Sequence, residues 1–363
     1  MPVSEQRQKR VVVGMSGGVD SSTAAALLRE QGYDVIGLTL KLWPQECTER
    51  AQDRCCGPQA VADARAVCHR LGIPFYLADR AEEFKRDVIL PFAAEYRAGR
   101  TPSPCILCNQ HVKFDTLIAR AHLLDAEHIA TGHYARVERD SATGRHLLRR
   151  GRDPQRDQSY FLFSLDQRQL GATLFPLGEL TKEQTRNLAR AHRLKTADKA
   201  ESMEICFVPD NDYGRFLQDA HLAHKHRGEI VDQQGRVRGH HDGVEFFTIG
   251  QRRGLRVAAP EPLYVIDLDV TANRVIVGLA AALNRDVFCV ERCNWIPFAH
   301  PSAALEVSAQ IRYHHPGTAA TVIPQSHGTA EVRLHTPQRA VTPGQACVFY
   351  QDDLVVGGGW IAR

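Results

Sequence analysis

Seven residues near the amino terminus, Ser16-Gly17-Gly18-Val19-Asp20-Ser21-Ser22, are of the types that hold a polyphosphate. Three hydroxyls and two glycines sit between a β-branched run, Val11 to Val13, and an Ala/Leu-rich run, Ala24 to Leu28. That order predicts a buried strand, a tight turn and a helix N-terminus. In such a turn backbone N–H groups point inward, the helix dipole favours negative charge, and glycine lets the main chain approach a phosphate closely. The turn contains no Lys, so it is not the GxxxxGK(S/T) loop, and it is not GxGxxG either. The plain alternative is a serine-capped helix after a strand. Asp20 favours the cradle, because an acid beside bound phosphate is expected to serve Mg²⁺ or an adenylation product.

The second set of chemical residues is thiols. The chain has ten cysteines. Two prolines, Pro102 and Pro104, predict an extended segment opening into Cys105-Ile106-Leu107-Cys108-Asn109, with a helix beginning near His111. A thiolate just before a helix is a nucleophile with a lowered pKa. One C-x-x-C is also half a zinc site, yet Cys55-Cys56 and Cys289-x-x-x-Cys293 supply no matching half. Cys206 stands alone in Ile205-Cys206-Phe207, where a buried packing thiol is the ordinary reading.

Strands are expected at Val11–Val13, Asp34–Leu40, Ile73–Ala78 and Glu127–Thr131, with Pro44 stopping the chain after the second. Helices alternate with them: one from Gly57-Pro58 to a Gly72 C-cap, then Ala81–Arg97, Val112–Leu124 and Leu180–Arg193, the last opened by Thr181 with Gln184 three residues on. Alternation predicts an α/β domain with a doubly wound parallel sheet, ligands lying at the carboxyl ends of its strands. The serine-glycine turn and Thr131-Gly132-His133-Tyr134 both fall at such ends. Gly132 would let a nucleotide approach, or is an ordinary turn glycine.

Arg145, Arg149, Arg150, Arg152 and Arg156 crowd one segment before Asp157-Gln158-Ser159. A solvated hairpin is the bland reading; beside a phosphate loop, a nucleic-acid backbone is the expected partner. Beyond Cys206 short strands are expected at 227–231, 237–241 and 244–248, then a hairpin of 263–269 with 274–278. Gln251-Arg252-Arg253-Gly254 is either a solvated turn or a contact to RNA phosphates. His240-His241, His314-His315 and His224-x-His226 lack carboxylate or cysteine company, and read as surface or RNA-facing. Six runs from Val287 to Ile361 predict a six-stranded barrel. The expected division is 1–204 nucleotide domain, 205–282 β-rich central domain and 283–363 barrel. A net charge of +3 permits nucleic-acid binding without requiring it. No apolar run approaches a membrane span and MPVSEQRQKR has no signal-peptide core, so a cytoplasmic protein off the membrane is expected.

Through Ser16, Gly17, Gly18, Asp20, Ser21 and Ser22 the turn resembles the SGGxDS loop of the pyrophosphatase-loop family, which splits ATP between its α and β phosphates to adenylate a substrate. Taken with the TPSPCILCN segment, TGHYAR, RDQSYFL, the ICF cysteine, FFTIGQRRGL and VTPGQACVFY, the chain resembles the bacterial tRNA-specific 2-thiouridylases nearly end to end. The resemblance implies an adenine nucleotide alpha hydrolase-like fold and ATP with Mg²⁺ held by Gly14, Met15, Ser16, Gly17, Gly18, Val19, Asp20, Ser21, Ser22, Leu40 and Gly132. It implies that ATP adenylates O2 of the wobble uridine of tRNAs for Lys, Glu and Gln, after which sulfur replaces the activated oxygen. Cys206 would carry a persulfide loaded by a cysteine desulfurase or relay protein, and Cys108 would be its partner. Ser103, Pro104, Cys105, His133, Arg156, Asp157, Gln158, Arg312, Tyr313 and Gln345 would contact tRNA or the target base, the chain acting as a monomer.

Two thiols are chemically reasonable, since a persulfide releases its terminal sulfur when a second thiol drives exchange. Cys206 lies 98 positions after Cys108, so a fold or a moving loop must bring the pair to a Cα separation below ~7 Å. The sequence departs from its relatives at Cys105, where many have Asp, and at Leu40, where Met is common. Cys105, Cys108 and Cys206 could instead ligate a [4Fe–4S] cluster with one open iron. An amide-forming ATP-dependent synthetase would share the loop but has no use for the cysteines. A non-catalytic tRNA-binding or sulfur-carrier protein would leave Ser16 to Ser22 unexplained.

Overall fold

The computed structural model describes residues 8–42, 57–200, 205–208 and 212–363. Pro44, the Cys55-Cys56 pair and the residues 201–204 that precede the ICF cysteine lie outside them. The chain forms two compact units, Met1–Asp87 with Cys105–Phe207 and Asp353–Val355, and Val88–Pro104 with Val208–Asp352 and Val356–Arg363.

In the first unit β1 (Arg10–Gly14), α1 (Val19–Glu30), β2 (Asp34–Lys41), α2 (Pro58–Leu71) and β3 (Phe75–Asp79) alternate as expected. Val11, Val12 and Val13 are all 0% exposed, as a central parallel strand covered on both faces requires. Pro58 enters α2 in its first turn and Gly72, at φ 63°, ends it. The single helix expected over 81–97 is instead α3 (Ala81–Phe84), a π-helical stretch Lys85–Ile89, and α4 (Leu90–Arg97). Pro91 explains the widening: it lacks an N–H and its ring excludes the carbonyl four residues back, Asp87, inside that stretch.

The cysteine segment is helical sooner than its prolines suggest. α5 (Pro104–Leu107) runs through a π-helical stretch, Cys108–Phe114, into α6 (Asp115–Leu123). Cys108 therefore lies inside a helical run rather than ahead of one. β4 (His128–Ala130), a hairpin of β5 (Ala135–Arg139) with β6 (His146–Arg150), α7 (Gln167–Ala172), β7 (Thr173–Leu174) and α8 (Lys182–Ala191) complete the unit. The sheet is parallel throughout in the order β3-β2-β1-β4-β7. Because α6 runs antiparallel to the strands it joins, its π-helical start lies at their carboxyl ends.

In the second unit, α9 (Tyr213–Asp219) precedes a sheet ordered β10-β11-β8-β9, built from β8 (Gly228–Asp232), β9 (Val237–His241), β10 (Tyr264–Asp269) and β11 (Arg274–Gly278). The strand expected at 244–248 is a 3₁₀ turn, Val244–Phe246, entered through Gly243 at φ 145°. Six strands then close into a barrel: β12 (Asn284–Trp295), β13 (Leu305–Gln310), β14 (Thr318–Pro324), β15 (Ala330–Arg339), β16 (Ala346–Gln351) and β17 (Leu354–Ile361). Closure is by β12 pairing with β17. The histidine pairs are not wholly outward. His241, at the end of β9, and His315, in the β13–β14 connection, are buried, their Nδ1 atoms accepting from Gly243 N and Gly317 N.

Candidate active site

The phosphate turn is held open by its own hydroxyls. Ser16 N donates to Ser21 Oγ at 3.1 Å, the two serine oxygens are also 3.1 Å apart, and Ser22 Oγ donates to Gly18 O at 2.7 Å. Thr39 Oγ1 donates to Met15 O, and Met15 N to Leu38 O, tying the turn to β2. Gly17 has φ +70°, and a Cβ there would lie 2.2 Å from Ala60 O on α2. Gly18 is the extended N-cap of α1 and needs no such freedom. Gly14 and Val19 flank the turn, and Leu40, 8% exposed, packs in β2.

Two lysines supply the cation that the turn itself lacks. Lys182 Nζ lies 2.8 and 2.9 Å from the two oxygens of Asp20, and the Tyr134 hydroxyl is 2.9 Å from Asp20 Oδ1. Lys199 Nζ donates to Gly17 O at 3.1 Å while pairing with Asp63 of α2. Sequence reasoning missed Lys182, Lys199 and Tyr134. One signal was present for Lys182: it follows the N-cap Thr181, where a helix dipole disfavours a cation unless an anion is near. Thr181 and Gln184 form a complete capping box that fixes this entry.

Asp20, expected to serve Mg²⁺ or the adenylated product, thus holds Lys182 with both oxygens. Among the described residues no three His, Cys, Asp or Glu side chains converge to hold a metal ion. Cys105, Cys108 and Cys206 form no such group as placed, whereas magnesium carried in with ATP needs only one or two carboxylates beside the phosphates. Gly132 packs directly on the start of α1. A Cβ there would sit 2.7 Å from the Asp20 carbonyl carbon and Ser21 N, so the space it leaves is taken by α1's own backbone.

His133 follows at the end of β4. Its Nδ1 is 2.8 Å from Thr131 Oγ1, and its ring packs 6.0 Å from Phe114 and 6.3 Å from Phe175. Burial, with the Lys113 ammonium adding to it, pushes its pKa down to about 3, so the imidazole is neutral. Phe114 closes the π-helical stretch that Cys108 opens, which joins the cysteine segment to the TGHY turn.

Cys108 is 5% exposed and Cys105 half-buried. The stretch is braced from two sides: Asn109 Nδ2 donates to Phe161 O and Gln169 Nε2 to Gln110 O, while Asn109 Oδ1 is buried without a partner among the described residues. Phe207, next to half-buried Cys206, packs edge-on to Phe84 at 5.7 Å, and α3, which carries Phe84, packs against the Cys108 stretch. The chain around both thiols therefore meets one short helix. Burial raises the pKa of Cys68 and Cys293 to about 12 and that of Cys347 upward as well, which keeps those thiols protonated.

The arginine run does not present a uniform basic face. Arg149 pairs with Glu138 and Asp353, and Arg150 with Asp157. Asp157 is 7% exposed and also accepts from Gly151 N and from the N and Oγ of Ser159, so its carboxylate holds the turn together. Gln158 exchanges hydrogen bonds with the Tyr134 backbone, and Arg156 N donates to Asp153 O. The hairpin reading accounts for Arg149 and Arg150. In the second unit Gln345 Nε2 donates to Thr101 O and Pro102 O, with Ser103 Oγ 3.5 Å from its Oε1 and Pro104 following. Arg312 is exposed, and the Tyr313 ring lies tilted against His314 with centroids 4.5 Å apart.

Among the described residues no helix is long and apolar enough to cross a membrane. Residues 9–210 match the family model described as tRNA methyl transferase HUP domain, 214–279 the tRNA methyl transferase PRC-barrel domain, and 285–361 the aminomethyltransferase beta-barrel domain. Those descriptions speak of methyl transfer; the full-length relatives are named otherwise. A tRNA-specific 2-thiouridylase of Acidobacterium capsulatum is 50% identical, the match covering 97% of this chain and 98% of that one. Those of Geotalea uraniireducens and Heliobacterium modesticaldum are 49% and 50% identical, covering 99% and 98% of this chain and 96% and 93% of theirs. At half identity over both full lengths, this chain is an enzyme of the tRNA-specific 2-thiouridylase family.

Proposed function

We propose that the protein 2-thiolates the wobble uridine of tRNAs for Lys, Glu and Gln at the expense of ATP. The observation that supports this most is the meeting, at the carboxyl ends of one parallel sheet, of the Ser16–Ser22 cradle with its two lysines and the His133–Phe114 link to Cys108. We assign nucleotide chemistry to 1–204, with 205–282 and 283–363 holding RNA.

Uridine O2 attacks the α-phosphorus of Mg–ATP, forming an O–P bond as the α–β anhydride breaks and pyrophosphate leaves. Lys182 and Lys199 offset the charge gathering on the departing phosphates, with the N-terminal N–H groups of α1. Neutral His133 faces the base without adding charge. The terminal sulfur of a Cys206 persulfide then attacks C2 and AMP departs with the old oxygen. Cys108 thiolate attacks Cys206 Sγ, breaking its S–S bond and leaving the sulfur on the base. The resulting Cys108–Cys206 disulfide requires an external thiol reductant before the next cycle. A persulfide-donor protein, a cysteine desulfurase or a relay, supplies the sulfur, and the chain works as a monomer.

The test combines the protein with Mg–ATP, a persulfide donor and unmodified glutamate tRNA, reading 2-thiouridine by mass spectrometry beside pyrophosphate. Both products together are expected. Pyrophosphate without thiouridine, restored by iron–sulfur reconstitution, would replace the thiol relay with a cluster. Absence of both would return the chain to the non-thiolating synthetase reading.

A further inference from the structure

Outside the phosphate cradle, four arginines gather in the second unit with no carboxylate paired to any of them among the described residues: Arg252, Arg253, Arg312 and Arg339. Their placement is fixed by backbone. Gly250 N donates to Val265 O and Val265 N to Gln251 O, which lays the 250–253 turn along the start of β10, where Tyr264 stands. Gln251 braces that turn, accepting from Thr248 N at Oε1 and donating from Nε2 to Arg253 O. Gly250, at φ +90°, lies so close to the end of β15 that a Cβ would fall 2.8 Å from the Ala340 methyl. Its neighbour Arg339 thereby reaches Tyr264, with the guanidinium 4.1 Å from the ring centroid. Arg312 Nη1 donates to Arg339 O at 3.3 Å, which brings a further cation to the same strand end.

Two exposed guanidinium groups from separate elements thus bear on one half-buried phenol. Arg339 through a hydrogen bond and its charge, and Arg252 by the same means more weakly, hold the Tyr264 hydroxyl below its ordinary pKa. Like charges held together without an acid repel, and the repulsion is relieved when an anion arrives. Planar guanidinium forks suit a phosphate oxygen pair, and spacing on rigid strand ends suits a fixed position on a backbone rather than a diffuse cloud.

We infer that Arg252, Arg339 and Tyr264 form a phosphodiester-binding site that grips the tRNA backbone, with Arg312 beside it. This rests on the tRNA thiolation reading and adds to it Arg339 and Tyr264, which join the 251–254 turn and Arg312 in one site. The site recognises backbone, so it acts on every substrate tRNA alike.

The experiment measures binding of labelled unmodified tRNA to the full chain between about 50 and 200 mM salt, where each phosphate contact adds roughly 0.9 to the slope of log K against log salt. Arg252→Gln and Arg339→Gln are each expected to weaken binding of all three tRNAs equally and to lower that slope by about one, and the double variant by about two. Arg339→Lys keeps the charge and is expected to keep the slope while losing affinity. Arg333→Gln removes an arginine already paired with Glu331 and is expected to leave the slope unchanged. A wild-type slope in both Gln variants overturns the inference, as does a loss confined to one tRNA. Inorganic phosphate that protects Tyr264 and its arginines while the tRNA slope stays wild-type in the variants also overturns it. A wild-type chain that binds no tRNA would instead remove the thiolation reading itself.

Discussion

Lys182 and Asp20, 162 positions apart in sequence, form a two-pronged ion pair at the mouth of the phosphate turn, with Nζ within 2.9 Å of both carboxylate oxygens. Lys182 is only 9% exposed, and the Tyr134 hydroxyl shares the carboxylate. The pair holds an ammonium ready beside a loop that carries no basic residue of its own. Replacing Lys182 by Met is expected to lower ATP-dependent pyrophosphate release by on the order of a hundredfold or more. Binding of tRNA should stay within about twofold, because backbone contacts elsewhere supply most RNA affinity. An undiminished rate of pyrophosphate release would remove Lys182 from the chemistry.

The two thiols should separate the halves of the reaction. Cys206→Ser is expected to abolish thiouridine while leaving pyrophosphate release within a few-fold of wild type, since activation of the base precedes sulfur transfer. Cys108→Ser should still load a persulfide on Cys206 in the absence of tRNA and, with tRNA and ATP, stall as a Cys206–S–S–uridine adduct, both visible by mass. Cys289→Ser, at an exposed thiol of the barrel, should change neither product. Full thiolation by the Cys206 variant would sink the relay.

His133 carries a pH signature. Its folded-state pKa of about 3 lies below its ordinary value, so the unfolded chain takes up a proton that the folded one refuses. Stability from neutral His133 is fully present above about pH 6.5 and declines as pH falls from there toward about 3. His241 and His315 are lowered by burial too and act in the same direction. Urea midpoints measured at about pH 7.5 and pH 5 should therefore fall for wild type and fall less for His133→Phe. Equal drops in the two proteins would show that the imidazole is already free to protonate when folded.

Gly17→Ala tests how tightly the turn is locked. The left-handed backbone alone costs about 1–2 kcal/mol for a residue with a Cβ, and the methyl would press into Ala60 O. A lower melting temperature and a raised KM for ATP are expected together. A variant with wild-type values for both would mean that the turn and α2 separate easily.

Much of this architecture is legible in the residue order because local rules and global packing agree. The Val11–Val13 run, the Gly57-Pro58 start with its Gly72 stop, and the Thr181 capping box each encode their element within a few residues, and alternation in six late runs encodes the barrel. What stayed hidden is long-range. Lys182, Lys199 and Tyr134 reach the phosphate turn from other elements, and nothing near Ser16 announces them. The π-helical entry at Cys108 was hidden because Pro102 and Pro104 read locally as extension, whereas the widened turn is braced from a distance by Gln169 and by the Phe161 carbonyl that Asn109 reaches. Of the arginine run, whose charge density points to RNA, Arg149 and Arg150 are paired with Glu138, Asp157 and Asp353, partners that the local sequence does not announce.

Asp353 bonds Arg136 and Arg149 of the β5–β6 hairpin, and residues 353–355 belong to the unit whose first strand begins at Arg10. During synthesis that hairpin must wait for nearly the last residues to leave the ribosome before its two arginines meet their acid. Neither unit can be cut out as one continuous stretch of gene, and a chain ended by a stop codon ahead of Asp353 would be defective in both halves at once.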